Sequence, residues 1–174
     1  MESSRVSTFA FATVAGLALS IGPAAAADCA ATSKMFDNVD DRASAHTVVE
    51  SKSESKVFEV VISRNGTKKN LGIANARSPS VSYLMKGQVR LMDAAVTVKI
   101  LRRDTEGSKS IDCAYNIAFE GAGTGKGKAT WSLPDGNSLV CGDVAELCTD
   151  CELTCSQTFH ADKVRWNTKL TISD

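Results

Sequence analysis

Six cysteines, two histidines and one block of lysines and arginines are the residues of this chain whose types could support chemistry. Cys29, Cys113, Cys141, Cys148, Cys151 and Cys155 form an even set, as complete pairing requires. Cys148-Thr149-Asp150-Cys151 has the spacing of a redox dithiol or of half a zinc site. A redox dithiol, however, opens a helix inside an alternating strand–helix pattern, and the strands here do not alternate with helices. The six are therefore expected to be structural bridges, with neither a metal nor a cofactor.

His46 and His160 are the only histidines. In secreted ribonucleases one imidazole takes a proton while another gives one, and Glu50 lies four residues from His46. Both histidines sit in polar segments without a flanking motif, so no catalytic residue is assigned. The chain has no Gly-x-Ser-x-Gly elbow and no His-Glu-x-x-His helix. Gly121-Ala122-Gly123-Thr124-Gly125-Lys126-Gly127-Lys128 looks like a phosphate cradle, but its spacing is one residue short and no Ser or Thr follows Lys126. It reads as a loop whose Lys126 and Lys128 could touch an anionic partner. Asn65-Gly66-Thr67 is an acceptor pattern for N-linked sugar and equally good turn chemistry.

Net charge is zero but unevenly spread. Residues 56–110 carry eleven basic side chains against four acidic ones, and the segments on either side are acidic. Such a block steers anions at long range. Arg102 and Arg103, with Lys126 and Lys128, are the residues expected to meet a partner.

The elements that position these residues are mostly strands. Phe58, Val60 and Ile62 alternate with more polar neighbours up to the Asn65-Gly66 turn. Val96, Val98 and Ile100 share one face, as do Ile111, Cys113, Tyr115, Ile117 and Phe119. Val164, Trp166, Thr168, Leu170 and Ile172 form another such series. Trp131 sits on a short strand before the turn Pro134-Asp135-Gly136-Asn137. Many short strands with frequent turn signals predict an all-β fold, an antiparallel β-sandwich or partly closed barrel. One short disulfide-linked helix is expected near residues 143–156, capped by Asp143 and Glu146, with an irregular cysteine-bound loop as the alternative because Thr149, Thr154 and Thr158 weaken helix propensity. With Cys148, Cys151 and Cys155 on one face of that helix, each would reach one of Cys29, Cys113 and Cys141.

Residues 1–27 read as an export signal: an apolar stretch from Thr8 to Ile21, a break at Pro23, and Ala25-Ala26-Ala27 before Asp28. Residues 28–174 then form one secreted domain, opening with a polar arm over 28–55 that holds a helical turn near Ser33 to Val39. No stable membrane span is expected after signal cleavage, and export favours disulfides. The expected function is a secreted, extracellular, non-enzymatic binding protein, effector- or toxin-like, whose partner is an extracellular protein or an anionic glycan or lipid rather than nucleic acid. A small ribonuclease-type hydrolase using both histidines, and a cell-surface or wall structural antigen, are the alternatives.

Overall fold

A strand that alternates apolar and polar side chains must lay its apolar face on something, and the alternating segments of this chain do so against one another. The computed structural model describes residues 28–29, 35–38, 42–89, 92–118, 120–123, 129–132, 139–160 and 164–174, with side chains described for all of these but 28, 35–38, 120–123 and 129–132. In chain order the strands are β1 (Asp28–Cys29), β2 (Met35–Asn38), β3 (Ala43–Ser51), β4 (Phe58–Arg64), β5 (Thr67–Ala74), β6 (Ser80–Gly87) and β7 (Ala94–Arg102). They continue with β8 (Lys109–Ile117), β9 (Glu120–Gly123), β10 (Ala129–Ser132), β11 (Leu139–Cys141), β12 (Glu152–His160) and β13 (Arg165–Ser173). The expected signal at 1–27, Lys126 and Lys128 in the Gly-Lys loop, Phe119 and the Pro134–Asn137 turn lie outside the described residues.

Two sheets pack as a sandwich. One runs β1-β11-β8-β7-β4-β5, where β1 is a two-residue edge beside five longer strands. The other runs β12-β13-β3-β6, and a separate three-stranded sheet runs β2-β10-β9. The fold is all-β, as expected, and the sandwich does not close into a barrel. It is not purely antiparallel, because β13 runs parallel to β3. Val164, at φ 41°, precedes that pairing and accepts a hydrogen bond from the Ser44 amide at 3.0 Å. Positive φ is rare for a β-branched residue.

The core lies between the sheets. Phe58, Val60 and Ile62 of β4, Val96, Val98 and Ile100 of β7 and Ile111, Cys113, Tyr115 and Ile117 of β8 supply one side. Val164 and the inward residues Trp166, Leu170 and Ile172 of β13 supply much of the other. Across the four-stranded sheet the inward row Phe159, Trp166, Ala45 and Met85 alternates bulk, since the small Ala45 faces between large neighbours. The next row is polar: Gln157, Thr168, Thr47 and Tyr83. Trp166 Nε1 donates to Thr168 Oγ1 at 3.1 Å, and Thr47 Oγ1 bonds the Tyr115 hydroxyl from the opposite sheet. Burial pushes the Tyr115 hydroxyl pKa up, keeping it protonated within this layer. A buried polar pair of this kind fixes how one sheet registers on the other.

Three expectations need correction. The polar arm expected over 28–55 contains an interior strand of the sandwich, β3, with a strictly alternating burial pattern. Four of its five inward residues, Ala43, Ala45, Thr47 and Ser51, are small or polar and only Val49 is a large apolar side chain, which hides the period from hydrophobicity. Residues 35–38 form β2 where a helical turn was expected. The helix expected over 143–156 is a single 3₁₀ turn, Val144–Glu146. Asp143 caps it as anticipated, accepting from the Ala145 amide at 2.9 Å. The chain then turns into β12, where Thr154 and Thr158 suit a strand better than a helix.

The disulfides change accordingly. Cys29 pairs with Cys155, Cys113 with Cys141, and Cys148 with Cys151. Without a long helix, Cys148 and Cys151 lie across a tight turn and bond each other rather than reaching outward. Cys113 and Cys141 sit opposite each other on β8 and β11. Such bridges belong to an oxidising compartment. No helix among the described residues is long and apolar enough to cross a membrane.

A buried cation ties the chain end to that turn. Lys56 is 5% exposed and pairs with Asp150 at 3.1 Å and with Asp174. Ser53 Oγ also donates to Asp174 at 2.9 Å. The hydrogen bonds from Lys56 hold both carboxyls below their usual range, and the Asp174 carboxylate, with Asp150 behind it, raises Lys56 in turn. A depressed carboxyl contributes stability that is present above its unfolded pKa and lost as pH falls through its folded value. The fold is therefore expected to weaken on acidification below about pH 4, while the share from Lys56 persists until pH rises past its raised pKa. Both carboxyls are partly exposed, which screens the effect. Urea midpoints measured against pH should show a shallower acid slope in Lys56→Met than in the native protein; equal slopes would place the acid sensitivity elsewhere.

Candidate binding cleft

The two sheets meet at two lateral edges. At one, β1 lies over β12 and the Cys29–Cys155 bridge joins them. At the other, β5 lies over β6 and only the turn from Asn75 to Pro79 connects them. Near that turn the edges are close, since a Cβ on Gly72 would stand 4.0 Å from Val81 Cγ1. Gly72 has φ +106°, and the pairing of β5 with β4 shifts register between Val60 and Val61. A bulge of this kind bends its strand and re-aims the side chains next to it.

Beyond the bulge the edges enclose a cleft of about 560 Å³. Ile62, Arg64, Asn65, Thr67, Lys68 and Lys69 line it from the β4–β5 hairpin, and Tyr83 lines it from β6. The hairpin is dictated locally, with Asn65 at φ 47° and Gly66 at φ 83° making the tight turn that right-handed strand twist favours. Lys69 Nζ stands 5.4 Å from the centroid of the Tyr83 ring, a cation–π contact. No carboxylate lines the cleft, and Arg64, Lys68 and Lys69 form no salt bridge among the described residues. The volume is in the range of small-ligand sites, but the opening is broad.

The residues expected to meet a partner are placed differently. Arg102 makes a two-pronged pair with Asp104, with bonds of 3.0 and 3.2 Å from Nε and 3.0 Å from Nη2. Arg103 pairs with Glu59, which also accepts from Asn70. Both guanidiniums are thus matched within the chain. Lys126 and Lys128 lie outside the described residues. Asn65 has its side chain engaged, since Oδ1 accepts from the Ala95 amide at 2.8 Å and Nδ2 reaches the Asp93 carbonyl at 3.5 Å. The turn role of that residue is therefore occupied, tying the hairpin tip to β7.

His46 and His160 share the outward face of the four-stranded sheet, on β3 and β12, with β13 between them. Thr158 and Asn167 stand level with His46, whereas Arg165 and Ser44 stand level with His160. Strand spacing and rise put their Cα atoms about 12 Å apart. Neither imidazole lines any of the cavities formed by the described residues. Cys148, Asp150 and Cys151 cluster closely enough to suit a metal, but both sulfurs are joined to each other and Asp150 is paired with Lys56. A hollow of about 470 Å³ beside Arg42, Ser44, Lys86 and Gln88 has no aromatic side chain among its described lining. Arg42 and Gln88 already have partners.

Sequence reading identified the basic block but not which of its cations line the cleft. Arg64, Lys68 and Lys69 carried a signal, flanking the Asn65-Gly66 turn within that block. Tyr83 carried none, because it comes from the opposite sheet. No protein-family model, curated protein or solved structure matches the chain.

Proposed function

We propose that this protein is an exported, non-catalytic binding domain, acting outside the cell that makes it, and that it takes an anionic partner at the β5–β6 edge. The observation that carries the reading is the cleft itself, where Arg64, Lys68, Lys69 and Tyr83 line one opening with no carboxylate among its described lining. Four cations, Lys56, Arg102, Arg103 and Lys169, are instead matched by carboxylates of the chain. A bland role for Lys68 and Lys69 also exists, since lysines on an edge strand discourage sheet-to-sheet aggregation. That role does not account for Arg64 or for an aromatic ring facing them from the other sheet. Catalysis has less support, because the two imidazoles are far apart on an open face and have no orienting partner among the described hydrogen bonds.

The test is binding to a panel of polyanions, namely polyglutamate, polyphosphate, a heparin oligosaccharide and phosphatidylserine vesicles. At least one is expected to bind in a salt-dependent manner, with affinity falling about a hundredfold in Arg64→Ala/Lys68→Ala/Lys69→Ala if each contact is worth roughly 1 kcal/mol. Unchanged binding of every probe by the triple variant would refute the reading.

A further inference from the structure

We infer that the anionic partner is a sulfated polysaccharide, an assignment that rests on the anion-binding reading of the cleft and adds the ligand class. The placement of the cations argues for repeated charge. Lys68 and Lys69 are successive residues of β5, so their side chains leave opposite faces of the strand. Arg64 and Lys69 stand diagonally on the inward face, Arg64 opposite Thr67 and Lys69 opposite Ile62. One phosphate-sized anion cannot satisfy cations on both faces of an edge strand. A chain bearing several sulfates can cross the edge and meet each in turn.

The remaining lining suits sugar rings. Tyr83 and Thr67, both in the lining, bring a ring edge and two hydroxyls to the cleft. Rings carry apolar C–H faces that pack on an aromatic side chain while their hydroxyls bond the polar rim. A lipid surface fits less well. The large hydrophobic side chains exposed on the described surface are Ile73, Leu84 and Val140, and none of them lines the cleft. Membrane docking without apolar insertion would rest on charge alone. An acidic protein also fits poorly, because one tyrosine is a small anchor for an interface that needs a buried aromatic or aliphatic centre.

Titration calorimetry of the oxidised protein with a heparin hexasaccharide and its desulfated counterpart tests this. The sulfated chain is expected to bind, with Lys68→Ala/Lys69→Ala reducing affinity about tenfold or more and Lys109→Ala, at the opposite end of that sheet from Arg64, leaving it unchanged. Tyr83→Ala should weaken the hexasaccharide by a larger factor than polyphosphate, since both lose the ring beneath Lys69 but only a sugar also packs against it. Thermal melts of the exposed-lysine variants should match the native protein, which separates lost binding from lost folding. Equal binding of the desulfated chain, or an equal loss in Lys109→Ala, overturns the assignment. Polyglutamate or phosphatidylserine vesicles bound through Arg64, Lys68 and Lys69, with the hexasaccharide unbound, would overturn the glycan while the anion-binding reading stands. No probe depending on those three residues would remove both.

Discussion

Trp166→Ala is expected to destabilise the fold by about 3–5 kcal/mol, the cost of emptying a large buried aromatic site. Trp166 is 2% exposed at the centre of the four-stranded sheet. It stands between Phe159 and Ala45 in its row, so its indole occupies the space Ala45 leaves. Its Nε1 also satisfies Thr168 Oγ1 in the polar layer. Truncation thus removes packing and takes a donor from a buried hydroxyl together. Trp166→Phe should cost only a fraction as much, because it keeps most of the ring volume. The check is urea denaturation followed by far-UV circular dichroism, since one of the two tryptophans is being removed. A loss below about 1 kcal/mol, the range of ordinary substitutions, would mean that this row does not anchor the core.

The same residue shows where sequence is a sufficient guide. Val164, Trp166, Thr168, Leu170 and Ile172 all turn inward as their alternation requires. Ile111, Cys113, Tyr115 and Ile117 do likewise on β8, and Asn65-Gly66 makes its hairpin. Each is a local pattern read within one strand or one turn. Its partner strand β3 was hidden because packing against Trp166 and Tyr115 calls for small or polar side chains at Ala45 and Thr47. The inward face of β3 is chosen by neighbours remote in sequence, so its own residues do not announce it. The cysteine pairing failed for a related reason. Ending the helix after one 3₁₀ turn brought Cys148 within bonding distance of Cys151, and a local change of element changed a global connectivity.

The cleft was half legible. Composition located the basic block, but not which cations the fold would cancel. Arg102 and Arg103 have acids waiting at Asp104 and at Glu59, the latter 44 residues away in the chain. Arg64, Lys68 and Lys69 have none among the described residues. That difference depends on strand register, and so does the arrival of Tyr83 over Lys69.

Breaking the Cys29–Cys155 bridge is expected to cost the most stability of the three, about 3–5 kcal/mol in Cys29→Ser/Cys155→Ser. Its sequence separation is 126, against 28 for Cys113–Cys141 and 3 for Cys148–Cys151. If a bridge acts by restricting the unfolded chain, its effect grows with the loop it closes, and the shortest should contribute about 2 kcal/mol. Position adds to this ordering. Cys29 lies on the edge of one sheet and Cys155 on the edge of the other, so the bridge staples the two sheets on the side that the 142–151 turn also spans. Urea midpoints of the three double-serine variants should fall in the order of loop length. Hydrogen exchange should localise early opening to β1 and β12, while binding at the β5–β6 edge, held by its own turn, persists. If the Cys148–Cys151 variant proves the least stable instead, loop closure is not what these bridges contribute. The turn that presents Asp150 to Lys56 would then be the feature that holds the sandwich together.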